Sequence, residues 1–215
     1  MATLGDLKSK IALEIHRSDV TTEIGSAVLS AVKHYESQRF WFNEARSYFS
    51  TSANTNEYGS AFIVAGGGPP SSSDPDTIVE FDLVTATINN RIQELCPEPW
   101  QNLASIDQTS WTGPPSKYAW RGESMRLYPT PNAIYRIDFY FLRASPELTA
   151  DDQSNVWTNE GKDLIRHRAK VELYEGSLIN PARADRERIL EAETLAKLLK
   201  RTNEMSATNT LKGDL

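Results

Sequence analysis

The chain has 215 residues, 39% of them hydrophobic, with 23 basic and 29 acidic side chains and a net charge of −6. That length carries one large domain or two small ones, with a core of real size. The absence of any run of about 18 apolar residues excludes a membrane-spanning helix, and the absence of a basic surplus argues against a protein that grips nucleic acid by its phosphates.

The charge is uneven. Residues 1–50 hold six basic and six acidic side chains, residues 151–215 eleven and twelve, and residues 51–150 six and eleven, so −5 of the −6 lies in the middle. The opening stretch, MATLGDLKSKIALEIHRSD, sets charges among its apolar positions and lacks the apolar core of a signal peptide. The single cysteine, Cys96, has no internal disulfide partner. A reducing, cytosolic origin is expected, with Cys96 as a half-buried structural thiol.

Leu4, Leu7, Ile11, Ala12 and Ile15 have helical spacing. RSDVTT then interrupts, with Ser18 or Asp19 expected as N-cap and Glu23 in the first turn of a second helix. Ile24, Val28, Ala31, Val32 and Tyr35 continue that helix into Phe40-Trp41-Phe42. Residues 1–45 therefore read as a helical hairpin, and residues 46–150 as a β-domain. Within it, GGGPPSSSDPD (66–76) reads as a long flexible loop. TIVEFDLVTATINNRIQEL (77–95) reads as two strands around a turn at Asn89-Asn90. Residues 97–107 suggest a short helical or irregular segment, and Lys117–Trp120 and Ser124–Tyr128 a hairpin around Gly122. In the strand 134–143, Tyr135, Ile137, Phe139 and Phe141 fall on one face, and Arg136, Asp138 and Tyr140 on the other.

Helix returns near Asn159, with Leu164, Ile165, Ala169, Val171 and Leu173. Asn180 caps a last helix with Pro181 at its first position, and Ile189, Ala192, Leu195, Leu198 and Leu199 are its expected apolar stripe. Residues 151–205 thus form a C-terminal helix pair, and 206–215 an extended tail. The fold class expected is α+β: an antiparallel helical bundle of the two terminal helix pairs with an inserted small antiparallel β-domain.

Catalytic constellations do not emerge. His16, His34 and His167 are not within one helical turn of each other or of Cys96, which argues against a local zinc site. Gly66-Gly67-Gly68 lacks the following Lys-Ser/Thr of a phosphate loop. The acidic group Asp74, Asp76, Glu80 and Asp82 has no calcium-loop spacing and reads as a solvated rim. Arg166-His167-Arg168 with Lys170 is a basic spot, best read as ion-paired with neighbours such as Asp163 and Glu172. Arg183, Arg186 and Arg188 alternate with Asp185, Glu187 and Glu191, as on a solvated or ring-interface face. No enzyme, cofactor or metal is expected.

An ordered series of motifs carries more. After FWFNE come Pro97-x-x-Trp100, GPPSKYA (113–119), RLYPTP (126–131), YRIDFYFLRASPEL, DQSNVW (152–157) and DLIRHRAKVEL (163–173). This succession resembles the head-to-tail adaptor proteins of short-tailed bacteriophages, of the tail tubular protein A or gatekeeper-adaptor type. The resemblance implies a virion protein at the head–tail junction, made in the host cytoplasm, that forms a twelve-fold homo-oligomeric ring under the portal protein. Such a ring extends the DNA channel, passes double-stranded DNA without sequence-specific binding, and presents a platform to the tail nozzle or next tail ring and to tail fibres. Other virion rings, such as a head-completion or tail-terminator protein, are the alternative, with a virion-associated hydrolase further off.

Interface residues expected on this reading are Phe40, Trp41, Phe42, Arg183, Arg186, Arg188, Leu211 and Leu215. Two of the three aromatics should clamp helices to sheet and the third should sit at a subunit or portal contact. Leu211 and Leu215 should anchor the tail on a portal subunit.

Overall fold

The computed structural model describes residues 1–59, 77–106 and 111–208. The loop expected at 66–76 lies outside them, with Asp74 and Asp76. The fold is α+β, with six helices and two four-stranded sheets among the described residues. Two compact units divide the chain. One comprises Met1–Asn43 and the chain from Ala144 onward; the other is Glu44–Arg143.

The helical unit holds α1 (Leu4–Ile15), α2 (Thr21–Tyr35), α4 (Val156–Asn159), α5 (Lys162–Glu175) and α6 (Pro181–Thr208). α1 starts on a capping box: the Asp6 N–H donates to Thr3 Oγ1 at 3.1 Å, and the Thr3 N–H donates to the Asp6 carboxylate at 3.0 Å. The N–H groups of Leu4 and Gly5, orphaned at the helix start, donate to the carbonyls of Gln153 and Asp151 at 2.9 Å. A Cβ on Gly5 would meet the Asp151 carbonyl oxygen at 3.0 Å, so only glycine allows that approach comfortably.

The start of α2 differs from expectation. Val20 is its N-cap, with no side-chain hydrogen bond. Both carboxylate oxygens of Asp19 are taken by Arg17 at 2.6 Å, which leaves none for the helix. At the other end of the unit, the Arg183 N–H donates to Asn180 Oδ1 at 3.2 Å and Pro181 opens α6, as read from the sequence. α6 continues to Thr208, so the extended tail expected from residue 206 starts no earlier than 209.

α5 packs against α1, α2 and α6. The shared core takes Leu4, Leu7, Ile11 and Ile15 from α1, Ile24, Ala27, Val28, Ala31 and Tyr35 from α2, and Leu164, Ile165, Ala169 and Leu173 from α5. Each buried Leu or Ile contributes roughly 1.5–3 kcal/mol. The stripe expected on α6 holds for Leu195, Leu198 and Leu199, which pack on the core, and fails in its N-terminal half. Ile189 is 62% exposed and Ala192 is exposed, while Ala184, Glu191 and Thr202 are buried and Leu195, Leu198 and Leu199 partly so. Two carboxylates, Glu187 and Glu191, therefore face inward on this helix.

In the other unit, β1 (Glu44–Ser50), β8 (Arg136–Ala144), β3 (Thr77–Ile88) and β4 (Arg91–Glu94) form one sheet in that order. β2 (Glu57–Gly59), β7 (Ser124–Tyr128), β6 (Lys117–Arg121) and β5 (Cys96–Pro97) form the second. Only β5–β6 is parallel among the registered pairs. β3 and β4 join through Asn89 and Asn90 at φ 50° and 61°, and β6 and β7 through Gly122 and Glu123 at φ 55° and 64°, both two-residue left-handed turns. The short helix α3 (Trp100–Ser105) follows β5.

Both sheets turn one face to a common core. Phe49, Val84, Ala86, Ile137, Phe139 and Phe141 from the first meet Tyr58, Tyr118, Met125 and Leu127 from the second. Phe81 on β3 lies edge-on to Trp120 at 5.1 Å and to Phe139 at 5.7 Å. Cys96 is exposed, not half-buried. Both residues of β5, a two-residue strand at the edge of its sheet, are exposed.

Candidate functional site

Phe40, Trp41 and Phe42 lie in a turn after α2, not on the helix itself. Asn43, fully buried, holds that turn: its Oδ1 accepts the Phe40 N–H at 2.7 Å and its Nδ2 donates to the Gln38 carbonyl at 2.8 Å. The turn so held brings residues 40 and 42 to the same side. Their rings stack at 5.2 Å, and both meet Trp157 of α4 edge-on, at 5.7 and 5.1 Å. Both belong to the core of the helical unit, in an aromatic cluster around Trp157. Trp41 is half-buried under the Arg201 guanidinium, 4.3 Å from its ring centre, and its N–H points to Thr202 Oγ1 at 3.4 Å. The turn is thus fastened to the C-terminal half of α6.

The basic run on α5 is consumed by pairing. Arg166 meets Asp163 at 3.1 Å and Glu14 at 3.6 Å; Arg168 meets Glu172 at 3.3 Å and Glu191 at 3.8 Å. Lys170 sits between Glu14 and Glu187, 2.8 Å from each, and His167 Nδ1 is 2.7 Å from Glu187. The Tyr35 hydroxyl donates to Glu191. Burial, and next the Glu191 carboxylate, push the Tyr35 phenol well above its ordinary value. These four helices are tied by a polar layer over an apolar floor. The acids that complete it come from α1 and α6, which local spacing on α5 does not reveal.

Burial opposes ionisation of Glu187, but hydrogen bonds from Lys170 and His167 outweigh it and hold its carboxyl below the ordinary range. A depressed carboxyl contributes stability above its unfolded value of about 4.3 and loses it as pH falls through the folded value. Glu187→Gln is therefore expected to cost about 2 kcal/mol at pH 7, with the wild-type and variant urea midpoints converging below about pH 4. A constant difference between pH 7 and pH 3 would contradict this role.

Arg188 is spent on Asp185 and Glu175. Arg183 lies 5.9 Å from the Tyr174 ring centre. Among the described residues Arg186 makes no hydrogen bond or ion pair, and it is exposed. Leu211 and Leu215 lie outside the described residues. On the outer face of the first sheet, Arg46 and Arg136 share Asp138, each at 2.9 Å, with Arg136 over Tyr48 at 3.8 Å. Burial works against the Asp138 charge, yet the two guanidiniums hold its carboxyl below the ordinary range. Among the described residues no group of three or more His, Cys, Asp or Glu is placed to hold a metal ion, and no helix is long and apolar enough to cross a membrane.

What these features offer is paired surfaces and braced helices. The sequence matches the family model described as SU10 adaptor protein over residues 2–211. No curated protein matches it.

Proposed function

Because the chain belongs to the SU10 adaptor protein family, a phage structural component of the virion that joins other head–tail parts, we propose that it forms the ring beneath the portal. In this reading twelve copies extend the DNA channel, the terminal helices make an antiparallel bundle, and the sheets serve as platform for the tail nozzle and fibres. The family match over nearly the whole chain carries the reading. Two physical features support it. The net charge of −6 lets DNA phosphates slide past instead of sticking. Arg166, Arg168 and Lys170 of α5 are neutralised by acids of the same unit and are not offered to phosphate. Leu211 and Leu215 keep their proposed role as portal anchors.

Each unit closes its own apolar core. A monomer is therefore expected in dilute solution, with the ring ordering on the portal. Light scattering should give the mass of one chain, and electron microscopy of purified portal-bearing heads mixed with the protein should give twelve-fold density at the portal vertex. A stable ring without portal, or heads without added density, would overturn the assignment. A ring at the far end of the tail would instead mark a terminator.

A further inference from the structure

The helical unit presents two surfaces that complement each other. The first is a groove beside α2. Leu29 and Val32 form one wall, Pro146 and Leu148 the other, and the carboxylates of Glu36 and Glu147 line it, with Lys33 alongside. Burial raises the Glu36 carboxyl above its ordinary value; Lys33 and the Ser145 N–H oppose the rise, and Glu147 adds to it. The groove is thus apolar at its floor and short of one cation.

The second surface is the outward side of α6. Arg186 and Ile189 are one helical turn apart there. Ile189 is 62% exposed, and Ile179, in the loop just before the helix, is 81% exposed. Arg188 is neutralised within the unit, whereas Arg186 has no ion pair among the described residues. An exposed arginine beside exposed aliphatics has the composition of an interface anchor.

We infer that a second copy of this chain seats this stripe in the groove, with Ile189 on the floor against Val32 and Leu148 and Arg186 between Glu36 and Glu147. The inference rests on the ring reading. A closed ring needs two different, complementary patches on each subunit, and these two differ in sequence, position and charge. One cation and one branched aliphatic on α6 answer two acids and an apolar floor built jointly by α2, its C-cap Glu36 and the 146–148 segment. The Leu29 and Val32 wall of the groove and the Arg186–Ile189 stripe lie on helices already packed against α5.

Charge reversal at the exposed residues tests it, using full-length protein on purified portal-bearing heads. Arg186→Glu and Glu147→Arg should each reduce ring occupancy at least tenfold at equal protein concentration, with far-ultraviolet circular dichroism unchanged. The double variant should recover occupancy to within threefold of the wild type. If the wild type forms no ring, both the ring reading and this inference fail. If the wild type forms rings and the single variants do so equally well, or the double variant shows no recovery, the inference alone is overturned. Single variants that form rings but lose attachment to the head would assign the groove to the portal, which also overturns it.

Discussion

Trp157→Ala is expected to cost the helical unit about 3–5 kcal/mol. Trp157 is fully buried, and the rings of Phe40 and Phe42 both abut it edge-on. Removing the indole takes away the partner of both rings at once, and neither can follow it. Phe40 is tied by its N–H to Asn43, and the turn is held in addition by Trp41 under Arg201. The cavity cannot collapse cheaply, so the cost lies at the upper end of the usual range for an aromatic. The neighbouring Gly161 reports on the same packing: an added Cβ would come within 2.8 Å of Trp157 Cε3. Urea unfolding followed by far-ultraviolet circular dichroism checks the expectation. A Trp157→Ala midpoint equal to that of the wild type would mean that the cluster holds nothing.

The second large effect belongs to the sheets. Phe139→Ala should also cost about 3–5 kcal/mol and leave the β unit unfolded or insoluble at 37 °C. Phe139 is fully buried, with Phe141 at 5.5 Å, Phe81 at 5.7 Å and Phe49 at 6.3 Å. It lies on β8, which is paired on both sides, so a gap there faces three strands and the opposite sheet. The adjacent Tyr140 points to solvent, with Arg46 5.1 Å from its ring centre. Tyr140→Ala should cost about 1 kcal/mol or less. Equal melting temperatures for the Phe139 and Tyr140 variants would refute the placement of the two faces.

These placements were open to sequence reasoning in unequal measure. The alternation of Ile137, Phe139 and Phe141 writes the inner face of β8 directly, since strand periodicity is local. Asn89-Asn90 marks its turn for the same reason, because few residues tolerate two successive left-handed positions. Pro181 after Asn180 marks the start of α6. Thr3 and Asp6 have the spacing of the capping box that opens α1, a signal as legible as the other three. The inward face of α6 was legible only in its C-terminal half, through Leu195, Leu198 and Leu199. Hydrophobicity favours Ile189, but Glu187 and Glu191 lie inward because Lys170, His167, Arg168 and Tyr35 await them on other helices. The same holds for the candidate site. Asp163 and Glu172 are within a turn of Arg166 and Arg168 and can be named from spacing, whereas Glu14 comes from more than 150 residues earlier in the chain. Phe40 and Phe42 share a side only because Asn43 bends the chain, and a helical wheel separates them.

The pairing of β1 with β8 has a consequence beyond stability. Glu44 sits opposite Leu142, so the chain leaves the helical unit and comes back to it across neighbouring strands, about 5 Å apart. The hundred residues of Glu44–Arg143 thus begin and end on neighbouring strands. A loop of a few residues joining Asn43 to Ala144 spans the same gap. The hundred residues are in that sense a replaceable cartridge: a different module with adjacent ends can be spliced between the same two helical segments.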